Sequence, residues 1–483
     1  MVEVPKRPNI LWICTDQQRY DALGCYGEGR LRTPRLDKLS AEGVRFARAF
    51  CQSPVCTPSR ASFLTGRYPR TTRCRQNGQA IPADEELVVK LLREGGYSTG
   101  LSGKLHVSPA NPSACPATER RIDDGYDVFQ WSHHPDPDWP TNAYIHWLEG
   151  RGERYHTSPF GGSQYIREGM DEAHHQTTWC AQMAIDFIKA GADFERPWVY
   201  SVNMFDPHHP FDPPPSYLRR FLKHLNEVPL PNYVDGELSN KPAFQRLDHE
   251  GAYHDPKLYP FSKMSSRDHR LIRAAYWAMI ELIDAQVGRM LDALEESGQR
   301  EETMVIFMSD HGELLGDHGI YLKGPYFYEP SIRIPLMVSW PGVIEGGRVS
   351  EALTELVDLA PTILSAAGIA PPARMQGRSL WPMLMGGEGG PAREDVYCEY
   401  YNAMPWHNSP QAHATMVRTA RHKLVAFHGS QPGELYDLEE DPKETHNLWG
   451  DPSREKLKLS MFERLCDRMA WTSDPVPERE SKW

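Results

Sequence analysis

The sequence predicts an α/β protein: a large, mostly parallel mixed sheet sandwiched by helices, followed by a smaller antiparallel-sheet subdomain at the C-terminal end. Three observations carry this expectation. Short continuous apolar runs, such as Asn9-Ile-Leu-Trp-Ile-Cys-Thr15 and Met304-Val-Ile-Phe-Met308, have the pattern of strands buried on both faces. They alternate along the chain with segments of helical period. After Pro371 this texture gives way to shorter strand signals, which places the division between residues 1–370 and 371–483.

The elements follow in order. Asn9 to Thr15 is the first strand and ends at Asp16-Gln17. Thr33 to Gly43 has the marks of a capped helix stopped by glycine. In Cys56-Thr-Pro-Ser-Arg60, Thr57 suits an N-cap, Pro58 the first helical position, and Gly66 a left-handed C-terminal cap. Leu87 to Glu94 is an amphipathic helix halted by Gly95-Gly96, and Tyr97 to Ser102 is a strand that delivers Lys104 and His106. From Val107 to His175 the chain is rich in Pro, Trp, His and Gly with little periodicity, the texture of long excursions over the sheet's rim. The pairs His133-His134 and His174-His175 could bind a metal, but are expected on these solvated loops.

Thr177 to Ala190 returns to helical spacing, and Trp198 to Met204 is a buried strand opening onto Phe205-Asp-Pro-His-His-Pro-Phe211. A second Pro-rich excursion runs to about Met264. The clearest helix spans Asp268 to Ser297, with apolar residues Ile272, Ala275, Met279, Ile283, Val287, Met290 and Leu294 recurring every three or four positions before Gly298. Met304 to Met308 is a strand ending at Ser309-Asp310-His311-Gly312. Ile334 to Trp340 is another strand, and Leu356 to Ala367 a helix ended by Gly368. The C-terminal part carries strand signals at Asp395–Tyr400, His422–Phe427 and Glu434–Leu438, then a polar helix from Pro452 to Ala470.

Composition narrows the function classes. At 483 residues, 40% hydrophobic and 24% charged, the chain has the make-up of a large globular protein. A net charge of −12 argues against a nucleic-acid partner, so an anionic ligand would need a local basic pocket. Nine scattered cysteines form neither a disulfide framework nor a Cys-x-x-Cys zinc pattern. The opening residues lack an apolar signal segment and no stretch suits a bilayer, so the expectation is a cytoplasmic protein with no membrane partner. Gly-x-Gly-x-x-Gly, Walker and nucleophile-elbow motifs are all missing.

Chemistry-bearing residues cluster at strand ends: Asp16-Gln17, Lys104-Leu-His106, His208-His209 and Asp310-His311. In open α/β sheets ligands bind beyond the carboxyl ends of the strands, so four such endings predict one shared site. Asp16, Gln17, Asp310 and His311 could form an oxygen-rich cage with one imidazole, suited to Ca²⁺ or Mg²⁺, with Mn²⁺ accepting the nitrogen. The alternative role for Asp16 is a cap on the following turn. Cys56 stands at the mouth of a helix, where unpaired N–H groups favour anions and make thiols reactive.

The run Cys56-Thr-Pro-Ser-Arg60 continued by Ala61-Ser-Phe-Leu-Thr-Gly-Arg67 resembles the signature of the type I sulfatases, in the alkaline phosphatase superfamily. The resemblance covers about residues 8–450 and implies the alkaline-phosphatase-like fold. It implies that Cys56 is oxidised to formylglycine by a separate maturation enzyme, and that Asp16, Gln17, Asp310 and His311 hold one divalent ion, Ca²⁺ foremost, with Mn²⁺ or Mg²⁺ as alternatives. Gln17 and His311 stand where many members have Asp and Asn. That combination resembles the branch containing phosphonate monoester and phosphodiester hydrolases, and the lost carboxylate makes Mn²⁺ a stronger competitor.

The resemblance further assigns Arg60, Lys104, His106, His208 and Lys323 to the anion and the reaction. Gly103-Lys-Leu-His106, Pro207-His-His-Pro210 and the lysine before Tyr328-Glu-Pro-Ser-Ile-Arg-Ile-Pro335 carry that match. His209 is an alternative to His208, Asn77 a candidate substrate contact or a turn residue, and Arg333 structural. In the implied chemistry one hydroxyl of the hydrated aldehyde attacks sulfur or phosphorus and expels the alcohol; the other loses its proton and the anion leaves. His106 would serve as the base, and His208 and Lys323 would protonate or stabilise the leaving oxygen. The expected activity is metal-dependent hydrolysis of sulfate esters of small molecules. Phosphonate monoester or phosphodiester hydrolysis at the same site is the alternative, and a silent anion-binding homologue with an unmodified Cys56 a third reading. A homo-oligomer is compatible with the sequence.

Overall fold

The computed structural model describes residues 7–135, 139–387, 393–429 and 432–475. Eight strands form the large sheet, in the order Arg348–Ser350, Val44–Phe46, Leu336–Ser339, Thr303–Ser309, Asn9–Thr15, Trp198–Asn203, Ser98–Gly103 and Val128–Trp131. The central block is parallel: Asn9–Thr15 lies between Thr303–Ser309 and Trp198–Asn203, which in turn pairs with Ser98–Gly103. Leu336–Ser339 runs antiparallel to both its neighbours. The sheet is therefore mixed but mostly parallel, as the alternating pattern predicted.

Every residue of Asn9–Thr15 and Thr303–Ser309 is buried, which requires cover on both faces. Helix Ser266–Glu296 supplies most of one layer, packed with Gln176–Gly191, Pro215–Leu222 and Pro34–Ala41. Cys56–Thr65, Val88–Glu94 and Leu359–Ala366 pack together as a second layer. The long helix starts two residues before the position predicted for it. Ser265 accepts a hydrogen bond from the Asp268 N–H and the Asp268 carboxylate accepts from the Ser265 N–H, a capping box that fixes the start.

Pro335 interrupts the strand expected from Ile334 to Trp340. Arg333–Ile334 pairs instead with Ala49–Phe50 in a separate three-stranded sheet completed by Thr354–Glu355, and only Leu336–Ser339 joins the large sheet. A proline cannot donate to the ladder, so the run divides there. The short strands Val44–Phe46, Val128–Trp131 and Arg348–Ser350 had no clear sequence signal, because three or four residues show no usable period.

The C-terminal sheet is antiparallel, in the sequential order Asp395–Tyr401, His413–Thr419, His422–Phe427 and Glu434–Asp437, with helix Glu455–Trp471 packed across it. His413–Thr419 was missed from sequence, although it pairs on both sides. Buried ion pairs join this sheet to the rest: Arg418 with Glu329 at 3.2 Å, Lys423 with Glu329 at 3.0 Å, and Arg393 and Arg468 with Glu355, each at 2.6 Å. No helix among the described residues is long and apolar enough to cross a membrane.

Candidate active site

The carboxyl ends of four neighbouring strands converge around Cys56, which lines a cavity of about 640 Å³ together with Lys104, His208 and Lys323. Asn9–Thr15 delivers Asp16 and Gln17, Ser98–Gly103 delivers Lys104, Trp198–Asn203 leads to His208, and Thr303–Ser309 delivers Asp310 and His311. The approach is tight. A Cβ on Gly103, whose φ is 99°, would lie 1.9 Å from the Asn203 carbonyl oxygen, so only glycine allows Lys104 to leave the strand here.

Helix Cys56–Thr65 projects into the same place. It begins two residues earlier than predicted, with Val55 rather than Thr57 at the N-cap, so Cys56 is the first helical residue and Pro58 the third. Val55 is extended and offers no side-chain cap. Asn77 takes over part of that role, its Oδ1 accepting from the Thr57 N–H at 3.0 Å while the residue lines the cavity. Gly66 closes the helix in the left-handed conformation, φ 68°, as expected.

The Cys56 sulfur is the hub. It lies 2.9 Å from Lys323 Nζ, 3.2 Å from His311 Nε2 and 3.7 Å from Asp16 Oδ1. Burial and Asp16 push its thiol up, yet Lys104, Lys323 and His311 more than offset them and hold it at about 7. Oxygens of Asp16 and Asp310, the His311 Nε2 and the Cys56 Sγ all lie within 4.8 Å of one another. Lys104 Nζ donates to Asp16 Oδ2 at 2.5 Å, and Arg60 Nε donates to Asp310 Oδ2 at 2.9 Å. Burial opposes ionisation of Asp16, but Lys104, His208, Lys323 and Arg60 keep its carboxyl well below the usual range.

These residues fit a divalent cation. Gln17 is held in the left-handed region, φ 68°, its Nε2 donating to the buried Glu313 carboxylate while its Oε1 is buried without a hydrogen-bond partner. A buried acceptor without a partner, on a residue whose backbone N–H donates to Asp310 Oδ1, suits a metal-ligand amide. His311 Nδ1 is 2.8 Å from the Gly312 carbonyl, which anchors the ring with Nε2 facing the cluster. Burial lowers this imidazole, but Asp310 and the Cys56 sulfur raise it to about 9, a field that favours positive charge at this spot.

His208 Nδ1 lies 2.5 Å from the His209 carbonyl, so its Nε2 is the acceptor for Lys323 Nζ at 2.8 Å. The His209 ring stacks on His208 at 4.1 Å and lines the cavity without a contact to Cys56. Burial, Lys104 and Arg60 hold His106 neutral, well below the ordinary histidine range. Its backbone is left-handed, φ 56°, and the pose is secured by Glu119, a residue that sequence reasoning missed. The Glu119 carboxylate accepts from the His106 N–H at 2.8 Å, the Val107 N–H at 3.1 Å and Trp131 Nε1 at 3.0 Å.

Two expectations about the excursions need correction. His133 is buried against His106, with ring centroids 4.4 Å apart, and lines the cavity with His134. His175 is also buried and caps helix Gln176–Gly191, its Nδ1 accepting from the Thr177 N–H. The excursions fold back over the sheet's rim, so imidazoles that looked solvated become cavity wall or helix cap.

Comparison with known proteins places this geometry. The sulfatase family model matches residues 8–369, and the model for the C-terminal part of N-sulphoglucosamine sulphohydrolase matches 316–470. The chain is 31% identical to an arylsulfatase of Clostridium perfringens, over 92% of this chain and 90% of that protein. It is 30% identical to the multifunctional alkaline phosphatase superfamily protein PehA of Trinickia caryophylli, over 92% of each. The crystal structure of the phosphonate monoester hydrolase of Agrobacterium radiobacter superposes with a TM-score of 0.84 at 28% identity, covering 97% of each chain. With its thiol, carboxylates and cations gathered in one cluster and this likeness running along nearly its whole length, the chain belongs to the sulfatase family of sulfuric ester hydrolases, in the alkaline phosphatase superfamily.

Proposed function

We propose that the chain hydrolyses sulfate esters of small molecules at position 56, after oxidation of Cys56 to formylglycine, with one divalent cation held by Asp16, Gln17, Asp310 and His311. The observation that carries this reading is the position of the Cys56 sulfur, in contact with Lys323, His311 and Asp16 at the floor of the cavity. Once in place, the hydrated aldehyde supplies the nucleophile and the cation supplies Lewis-acid activation.

The chain's own residues do the remainder. Arg60 and Lys104 hold the two carboxylates and set fixed positive charge beside the incoming anion, where preorganised electrostatics act strongly because water is excluded. Lys323 donates towards the substituent at position 56 and is the ammonium nearest the departing oxygen, with His208 Nε2 fixing its direction. His106 is kept neutral and is the base for the second proton. Ca²⁺ is the expected ion, with Mn²⁺ and Mg²⁺ as competitors. Cys56 is 1% exposed, so the maturation enzyme must reach it before the fold closes.

Phosphonate monoester or phosphodiester hydrolysis is the second reading, favoured by the likeness to a phosphonate monoester hydrolase structure. Turnover of aryl sulfate and aryl phosphonate esters tests the choice. Higher kcat/KM on the sulfate supports the first reading, and dominant phosphonate activity replaces it. Peptide mass spectrometry at Cys56 in the native host tests the modification; an unmodified thiol there makes the chain a silent homologue.

A further inference from the structure

We propose that the chain binds a second divalent cation, of the zinc class, between Asp248, His254 and His407, and that this ion braces the outer wall of the cavity. The site shares no residue with the cluster around Cys56. One ligand atom from each of the three side chains lies within 4.8 Å of the others. Asp248 belongs to helix Ala243–Glu250, His254 to the turn after it, and His407 to a loop more than 150 residues away.

The local structure aims all three inward. Tyr253 and His254 both adopt left-handed backbone, φ 59° and 61°, a conformation that bulky side chains rarely take. That turn folds His254 back over the carboxylate: its N–H donates to Asp248 Oδ1 at 3.0 Å, and its Nε2 faces the same oxygen at 3.5 Å. The Nε2 atom is buried and makes no hydrogen bond. His407 is fully buried, with Nε2 2.9 Å from Asp248 Oδ2 and Nδ1 3.0 Å from the Tyr400 hydroxyl. The tyrosine thus orients the ring with Nε2 towards the carboxylate, the arrangement metal-binding imidazoles use. The two rings stand at 90° with centroids 5.2 Å apart, so their nitrogens approach one point from different directions.

Two imidazoles and one carboxylate are a donor set for Zn²⁺ or a neighbouring transition ion, not for Ca²⁺ or Mg²⁺, which want oxygen. The His254 side chain is 20% exposed, so the cluster lies close to solvent on that side. The consequence lies one residue along. Tyr253 and Trp406, the neighbours of His254 and His407, stack at 4.6 Å and 13° and together wall the cavity. An ion joining the two segments would fix that aromatic wall.

The test strips the full-length protein with a chelator, reloads it with Zn²⁺ or Co²⁺, and counts bound metal by mass spectrometry. Wild type is expected to hold one more ion per chain than His254→Ala or His407→Gln. The additional Co²⁺ should show the visible absorption of a tetrahedral site, absent from both variants. The Tyr326 hydroxyl also donates to Asp248 Oδ2; equal metal counts and equal spectra in wild type and His254→Ala overturn the site, and identify Tyr400, His407, Asp248 and Tyr326 as a hydrogen-bonded chain complete without an ion. Because His254 is half-buried, that variant keeps the test decisive even where His407→Gln fails to fold. KM for an aryl sulfate should rise in His254→Ala with kcat maintained; an unchanged KM removes the bracing role.

Discussion

Lys323 Nζ lies 2.9 Å from the Cys56 sulfur, although the two residues are 267 positions apart. The same nitrogen is held by His208 Nε2 at 2.8 Å, which fixes it beside position 56, where the proposed function has it donate a proton. Replacing Lys323 by Ala should lower kcat by about 10²- to 10⁴-fold, the usual worth of a positioned proton donor. Steady-state kinetics with an aryl sulfate of poor leaving group measures this, and a loss below tenfold would remove the assigned role.

Cys56→Ala should abolish turnover while thermal unfolding stays close to wild type. The side chain is small and its contacts are with the site rather than the core. Residual activity above the uncatalysed rate would show that another group is the nucleophile.

Asp310→Ala should cost both metal occupancy and rate. This carboxylate accepts from Arg60 Nε and from the backbone N–H groups of Gln17 and His311, so it also positions the other two residues proposed as ligands beside it. Metal content per chain after dialysis against a chelator-buffered ion decides the matter; normal occupancy in the variant would refute the ligand assignment.

Glu119 is a positioning residue for His106. Glu119→Ala strands three buried donors at about 1–3 kcal/mol each, so unfolding should shift to lower temperature. Glu119→Gln retains one acceptor oxygen and should recover part of both stability and kcat. If the two variants lowered stability alike but left kcat untouched, Glu119 would be structural only.

Asp317 sits between Arg19 at 2.8 Å and Arg273 at 3.0 Å. Burial raises its pKa, but the two guanidinium groups win and hold it at about 2. A carboxyl depressed in the folded state stabilises above its unfolded pKa, near 3.9, and loses that contribution as pH falls through the folded value. The pH-dependent part of the stability gap between wild type and Asp317→Asn should therefore be about 2.6 kcal/mol at neutral pH and shrink between about pH 5 and pH 1. Denaturant unfolding over that range checks it, and a gap that stayed constant would contradict the ion-pair account.

Much of this protein can be read along the chain because its strongest signals are local. A buried parallel strand is a continuous apolar run, so Asn9–Thr15, Trp198–Asn203 and Thr303–Ser309 announced themselves, together with the polar residues at their ends. The Cys56 run and the Gly66 cap are local as well. What depends on distant partners stayed hidden. His413–Thr419 became a strand because two neighbours offered ladders, and Pro335 split one expected strand between two sheets. Glu119 carries no motif; only the fold brings its carboxylate under the left-handed His106 backbone. His133, Asp248 and His407 acquired their surroundings in the same way, from segments brought together only by the summed packing of the domain. Short-range periodicity decides which segments become strands and helices, whereas the free energy that selects one partner for each buried polar group belongs to contacts between segments far apart in sequence.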